Sequence, residues 1–286
     1  MLAVMSIRIL VLAAACGACR GSQPAMPAPP PVTHPAAPQP RAALDTPERA
    51  VAAYFQAGDQ HDSRLIRAAF HPTTAIQSVG PDGTARALSQ IEWWPKVDAP
   101  GAPALSRRQR TLDRSGDLAL IEADSRWAGF RFDDLLLVVR DADRWTIVGK
   151  VFARLGPDEV VPVDADDDRA IRGVLAQKIA AHADYDPELL LASHLVGCRY
   201  THVDDHGLTN ETLSEHAAGY AAHHDAGETD HVSPWRILSV TVRGSIAAAT
   251  LDVIWQGRRN VDHLLLLKVG AGWKIAAAAW GPAAPR

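Results

Sequence analysis

The chain has 286 residues, 47% hydrophobic and 22% charged, with 29 basic against 33 acidic side chains and a formal net charge of −4. That balance, with Arg107-Arg108-Gln109-Arg110 as its densest basic run, excludes nucleic acid as the main partner, because phosphate binding needs a concentrated positive field. The length suits about two domains. Beyond residue 19 the sole cysteine is Cys198, so the body has neither an internal disulfide nor a cysteine-rich metal site.

Arg8 is the one charge among residues 1–19, and the apolar run Ile9–Ala15 leads into Cys16-Gly17. Such a run is too short for a membrane span, which needs about 20 residues, and suits a secretory signal with small residues at its cut. Residues 1–22 are therefore expected to be a signal of the bacterial lipoprotein kind, with Cys16 as the lipidated residue. Residues 23–44 are rich in proline and read as an extended tether, since proline supports neither helix interiors nor sheet ladders. Together these segments predict an exported chain in the bacterial envelope or periplasm that meets a membrane only through its lipid.

Thr46-Pro47-Glu48 is a helix start: a cap, a proline at the first position and an acid in the first turn. Val51, Tyr54 and Phe55 follow at helical spacing. A second helix from Ser63 carries Leu65, Ile66 and Phe70 and stops before His71-Pro72. Gly80-Pro81-Asp82-Gly83 between two short apolar runs signals a hairpin. Ser89-x-x-Glu92 is a capping box that starts a short helix bearing Trp93 and Trp94. Four strands are then expected near 106–113, 117–128, 131–140 and 144–153.

The order then repeats. A helix capped by Asp167 or Asp168 carries Ile171, Leu175 and Ile179, and Asp186-Pro187-Glu188 opens the next. A strand follows over Cys198–Val203, then the box Thr212-x-x-Glu215 and four strands near 235–243, 245–256, 260–269 and 272–280. Arg49 matches Arg169, Gly116 matches Gly244, Asp134 matches Asp262 and Trp145 matches Trp273. The period is too long for a solenoid repeat. It predicts two copies of one α+β domain, 45–156 and 165–282, each with helices cupped by a curved antiparallel sheet.

In this order the residues resemble the NTF2-like (SnoaL-like) superfamily, and the first copy is similar to its lumazine-binding branch. The resemblance is carried by Tyr54 with Gly58-Asp59, by Phe70-His71-Pro72, by Gly80-Pro81-Asp82-Gly83-Thr84, and by Asp134–Val139 with Trp145 through Phe152. It implies a cone-shaped fold whose members pair sheet to sheet, so two copies in one chain imply an intramolecular pseudo-dimer. The second copy matches more loosely, with Ser193-His194-Leu195 in place of Phe-His-Pro and Ala278 in place of Lys150.

The expected function is the binding of a small, partly apolar molecule in the first cone, by Tyr54, His71, Trp93, Trp94, Asp134 and Lys150, with no cofactor. One alternative is an isomerase or dehydratase acting alpha to a carbonyl, with Asp134, His71 and Tyr54 as catalytic candidates, because a carboxylate in an apolar cavity can act as a base. Another is an envelope module that recruits a protein partner. The second copy holds most of the histidines, among them His182, His194, His216 and His223. Their spacing matches no zinc motif, so no metal site is expected.

Overall fold

The computed structural model describes residues 43–284 apart from 205, 231–233 and 256. The expected signal segment, Cys16 and all but the last two residues of the expected tether lie outside the described residues.

Thr46 caps α1 (Pro47–Gln60), its hydroxyl accepting from the Arg49 N–H at 3.2 Å, and His61 ends it at φ 53°. Asp62 caps α2 (Ser63–Ala69). The hairpin β1 (Ile76–Val79) and β2 (Ala85–Leu88) leads to α3 (Gln90–Asp98), which opens on the reciprocal Ser89/Glu92 box. The strands β3 (Ser106–Ser115), β4 (Leu118–Arg126), β5 (Arg131–Asp141) and β6 (Arg144–Leu155) complete the first half. The second half repeats it as α4 (Ala165–Ala183), α5 (Pro187–Ser193), β7 (His194–Asp204), β8 (Gly207–Thr212) and α6 (Leu213–Asp225). Its last strands are β9 (Arg236–Arg243), β10 (Ile246–Trp255), β11 (Arg258–Val269) and β12 (Gly272–Pro282).

The sheets have the same order, β2-β1-β6-β5-β4-β3 and β8-β7-β12-β11-β10-β9. Both are mixed rather than purely antiparallel, because β1 runs parallel to β6 and β7 parallel to β12. Each of these strands enters from a helix lying on the sheet rather than through a hairpin, so no tight turn imposes the antiparallel direction. One face of each sheet packs on its own three helices. The alternate residues form a third apolar cluster between the sheets, with Leu118, Leu135 and Leu137 from one half against Ile246, Leu265 and Leu267 from the other.

The pairing is a pseudo-twofold. Gly149 faces Leu137 in its sheet as Ala277 faces Leu265, so the two are equivalent. They also meet each other: a Cβ on Gly149 would lie 2.9 Å from that of Ala277. Self-equivalent contact is the mark of an isologous interface. Beside it His263, fully buried, holds Asp113 of the first half at 2.8 Å, and Gln77 donates to the Ala276 carbonyl at 2.8 Å.

Two local expectations are corrected. Asp164, not Asp167 or Asp168, caps α4; Asp167 is the third residue of that box and also accepts from the Trp273 indole at 2.9 Å. In addition, Arg49 and Arg169 are not equivalent. The buried residues Pro47, Val51, Tyr54 and Ala57 match Ile171, Leu175, Lys178 and Ala181 at a spacing four residues longer. The caps Asp62 and Asp186 keep that spacing. The extra turn of α4 is therefore at its start, and Lys178 stands in the place of Tyr54.

Candidate ligand site

In the first cone Asp134 enters β5 at a buried position opposite Phe152 of β6. The Tyr54 hydroxyl donates to Asp134 Oδ2 at 2.8 Å. Lys150 forms an ion pair with the same carboxylate and donates to the Tyr54 oxygen at 3.2 Å. Burial, then the Asp134 charge, raises the Tyr54 pKa well above its ordinary value; burial lowers that of Lys150 against the opposing pull of Asp134. The rings of Phe55, Phe70 and Trp93 lie 5.4 to 5.9 Å from that of Tyr54. These rings pack around the buried pair.

Four of the six expected ligand residues, Tyr54, Asp134, Lys150 and Trp93, are thus brought together, but in contact with one another. Trp94 packs beside them under Arg67, whose guanidinium carbon is 4.9 Å from its ring. His71 instead lies near the boundary of the halves. Its Nδ1 is 2.8 Å from the Thr73 hydroxyl, which donates to Asn210 of the second half at 2.6 Å. Burial pushes its pKa down.

The second cone holds a cavity of about 240 Å³. Sheet register and helix caps show which residues exchange around it. Lys150 is replaced by Ala278, Phe70 by His194, Trp93 by His216 and Trp94 by Ala217. Phe70 is bridged to Ile147 as His194 is paired with Ile275, so His194 corresponds to Phe70 rather than to His71. These four exchanges remove side-chain volume, while Gly58 to His182, Ile76 to Tyr200 and Phe152 to Trp280 add it.

On the cavity floor Lys178 Nζ donates to Asp262 Oδ2 at 2.8 Å and lies 4.5 Å from the centre of the Trp235 ring. Lys178 thus makes to Asp262 the contact that Tyr54 makes to Asp134. Three tryptophans, Trp235, Trp255 and Trp280, and three tyrosines, Tyr185, Tyr200 and Tyr220, form the walls. His216 stacks on Tyr200 with centroids 3.8 Å apart and bonds Glu211 at 2.9 Å.

Two histidines, kept neutral by burial, have their tautomer set by what they face. His194 Nδ1 is 2.8 Å from the Leu190 carbonyl, which can only accept, so Nε2 accepts from the Tyr200 hydroxyl at 2.6 Å. His182 Nε2 donates to Asp230 at 3.1 Å, leaving Nδ1 to accept from the Tyr220 hydroxyl at 3.0 Å. Burial brings the His194 pKa down to about 3; burial and then the Lys178 charge bring that of His182 down to about 4. Burial also raises the pKa of Tyr200 and Tyr220. Sequence reasoning missed the Lys178–Asp262 pair. The available signal was a lysine three residues after Leu175, on the apolar stripe of α4.

Among the described residues, no three His, Cys, Asp or Glu side chains gather closely enough to hold a metal ion. Nor, among them, is any helix long and apolar enough to cross a membrane.

The family described as "Putative lumazine-binding" matches the chain twice, over residues 43–153 and 166–281. This chain belongs to that family. It carries two lumazine-binding-type domains in tandem, each with a curved six-stranded sheet over helices. Solved structures similar to one such domain include an NTF2-like protein from Silicibacter pomeroyi, 20% identical, covering 42% of this chain and 98% of its own, at a TM-score of 0.38. Another, from Methylobacillus flagellatus, is 22% identical and covers 44% of this chain and 98% of its own, at 0.39. A ketosteroid isomerase-like protein from Erwinia carotovora atroseptica is 13% identical and covers 43% of this chain and all of its own, at 0.35. No curated protein matches the chain.

Proposed function

We propose that this protein binds a small, flat, partly apolar molecule in the cone of its second domain, while the first domain serves as its paired scaffold. The observation that carries the reading is the cavity walled by Trp235, Trp255 and Trp280 over the Lys178–Asp262 pair. Concave apolar space with a few convergent polar groups is how small-molecule sites are built, and about 240 Å³ lies just below the usual 300–1,000 Å³ of such pockets. A one- or two-ring molecule suits it. The family name supplies lumazine as a bicyclic probe.

The test is titration of the purified protein with lumazine, followed by tryptophan fluorescence and calorimetry. Saturable one-to-one binding is expected. It should vanish in Gly219→Trp, which places a ring at the mouth where a new Cβ meets nothing within 4 Å. Binding that survives this substitution would put the ligand elsewhere.

The alternative of catalysis alpha to a carbonyl has less support in the first cone. Its carboxylate is held by Lys150 and Tyr54, and His71 bonds Thr73 rather than that carboxylate.

We propose, on the sequence alone, that the chain is exported and lipid-anchored at Cys16. The apolar run Ile9–Ala15, the small residues before Cys16 and the proline-rich stretch after it support this. Metabolic labelling with an alkyne fatty acid should mark the wild-type protein and not Cys16→Ala; equal labelling of both would remove the anchor from this residue.

A further inference from the structure

The geometry points to a positively charged ligand: the second cone is built to take an organic cation on a flat or compact apolar body. This rests on the ligand-binding reading above and adds the sign of the charge.

The first argument comes from the exchange between the cones. In the first, the Lys150 ammonium is enclosed by Asp134, by the Tyr54 ring at 4.8 Å and by the Phe152 ring at 5.2 Å. In the second, the carboxylate and the strand-side ring persist as Asp262 and Trp280, but the lysine has become Ala278. The ammonium on the strand side is gone, while the carboxylate and the strand-side ring that surrounded it stay. Lys178 reaches Asp262 from the helix side, in the place of Tyr54.

The second argument is charge. The lining has three carboxylates, Glu211, Glu215 and Asp262, against one cationic side chain, Lys178, and no arginine. Lys178 is neutralised by Asp262 at 2.8 Å. Burial keeps His182 and His194 neutral at ordinary pH, and the other two lining histidines are each engaged with an acid, His216 with Glu211 and His223 with Glu228. An anion would therefore meet carboxylates at the rim, Glu211 beside His216 at 2.9 Å and Glu215 beside Thr212 at 2.8 Å, with Lys178 already paired to Asp262.

The third argument is the wall. Cations are drawn to the faces of tryptophan and tyrosine, and this cavity presents three of each. The protein's own Lys178 already shows the contact, with its ammonium 4.5 Å from the Trp235 ring centre.

The experiment compares three probes of one shape at neutral pH by calorimetry: N-methylquinolinium, the neutral quinoline and the anionic quinoline-2-carboxylate. The cation is expected to bind about tenfold tighter than quinoline, the range that desolvated cation–π contact gives, and the carboxylate weakest. Glu211→Gln should weaken the cation severalfold and leave quinoline unchanged. Glu215→Gln, which keeps the capping-box chemistry, should do so to a smaller extent. Equal binding of cation and quinoline, or tightest binding of the carboxylate, overturns the charge inference and leaves the site standing. If none of the three binds, and lumazine does not bind either, both readings fall.

Discussion

The two cones share sheet order, register and a buried carboxylate at one strand position, yet they pair that carboxylate differently, and in the second a cavity lies beside it. In the first, Asp134 is held from the strand by Lys150 and from the helix by Tyr54. In the second, Lys178 comes from the helix and the strand position is Ala278. The requirement common to both is a cation for the buried acid, because an uncompensated charge in the interior is expensive. Which element supplies that cation is free to change. The move from sheet to helix is accompanied by Trp93→His216 and Phe70→His194 between the copies, and a cavity lies beside the second pair. The lesson is that duplication preserved the electrostatic constraint and relaxed the steric one.

The largest expected effect breaks the comparison at the ion pairs. Lys150→Met leaves Asp134 charged inside a packed cone and should cost about 3–5 kcal/mol of stability, read by urea denaturation. Lys178→Met should cost distinctly less, because Asp262 borders a cavity where water can reach it. Equal losses would mean that the second cone is as closed as the first.

Acid should separate the halves next. His182 and His194 have pKa values lowered from 6.5 to about 4 and about 3, so the unfolded chain takes their protons first. Stability is full above pH 6.5 and is lost as pH falls toward the folded values, by about 1.4 kcal/mol per pH unit for each histidine. His194 stands where the first cone has Phe70, and at its helical spacing His182 stands at Gly58, so the corresponding positions there do not titrate. Tryptophan-resolved unfolding between pH 6.5 and 4.5 should show the second half loosening first; His194→Phe should reduce that difference.

The smallest effect sharpens the helix at the cavity mouth. Gly219→Ala in α6 meets open space and should stabilise the protein by about 1 kcal/mol through helix propensity alone, measured as a rise in thermal midpoint. Lumazine binding should be unchanged, since a methyl does not fill the mouth.

Much of the architecture was legible in the sequence. Both capping boxes, Ser89 with Glu92 and Thr212 with Glu215, form as spelled, and Trp145 with Trp273 and Asp134 with Asp262 fix the strand register. The helix alignment was not. A shift of four residues is close to one helical turn and keeps the same face inward, so Arg49 and Arg169 look equivalent when they are not. That slip hid the exchange of Tyr54 for Lys178. The location of the cavity was equally hidden, because it depends on volumes added or removed by residues far apart in sequence. His182 and Glu211, for example, meet its walls from α4 and β8.

Gly149 has a consequence for partner choice. Were the two halves separate molecules, two copies of the first would set glycine against glycine, and two of the second would set alanine against alanine. A methyl added at Gly149 would already lie 2.9 Å from its neighbour, so the alanine pair would force the sheets apart. The hydrogen bond between His263 and Asp113 would fail as well, since Asp113 would face the equivalent of His263, which is Leu135. The mixed couple is thus the preferred one, and a bond once made between like chains has become a lock that accepts only unlike ones.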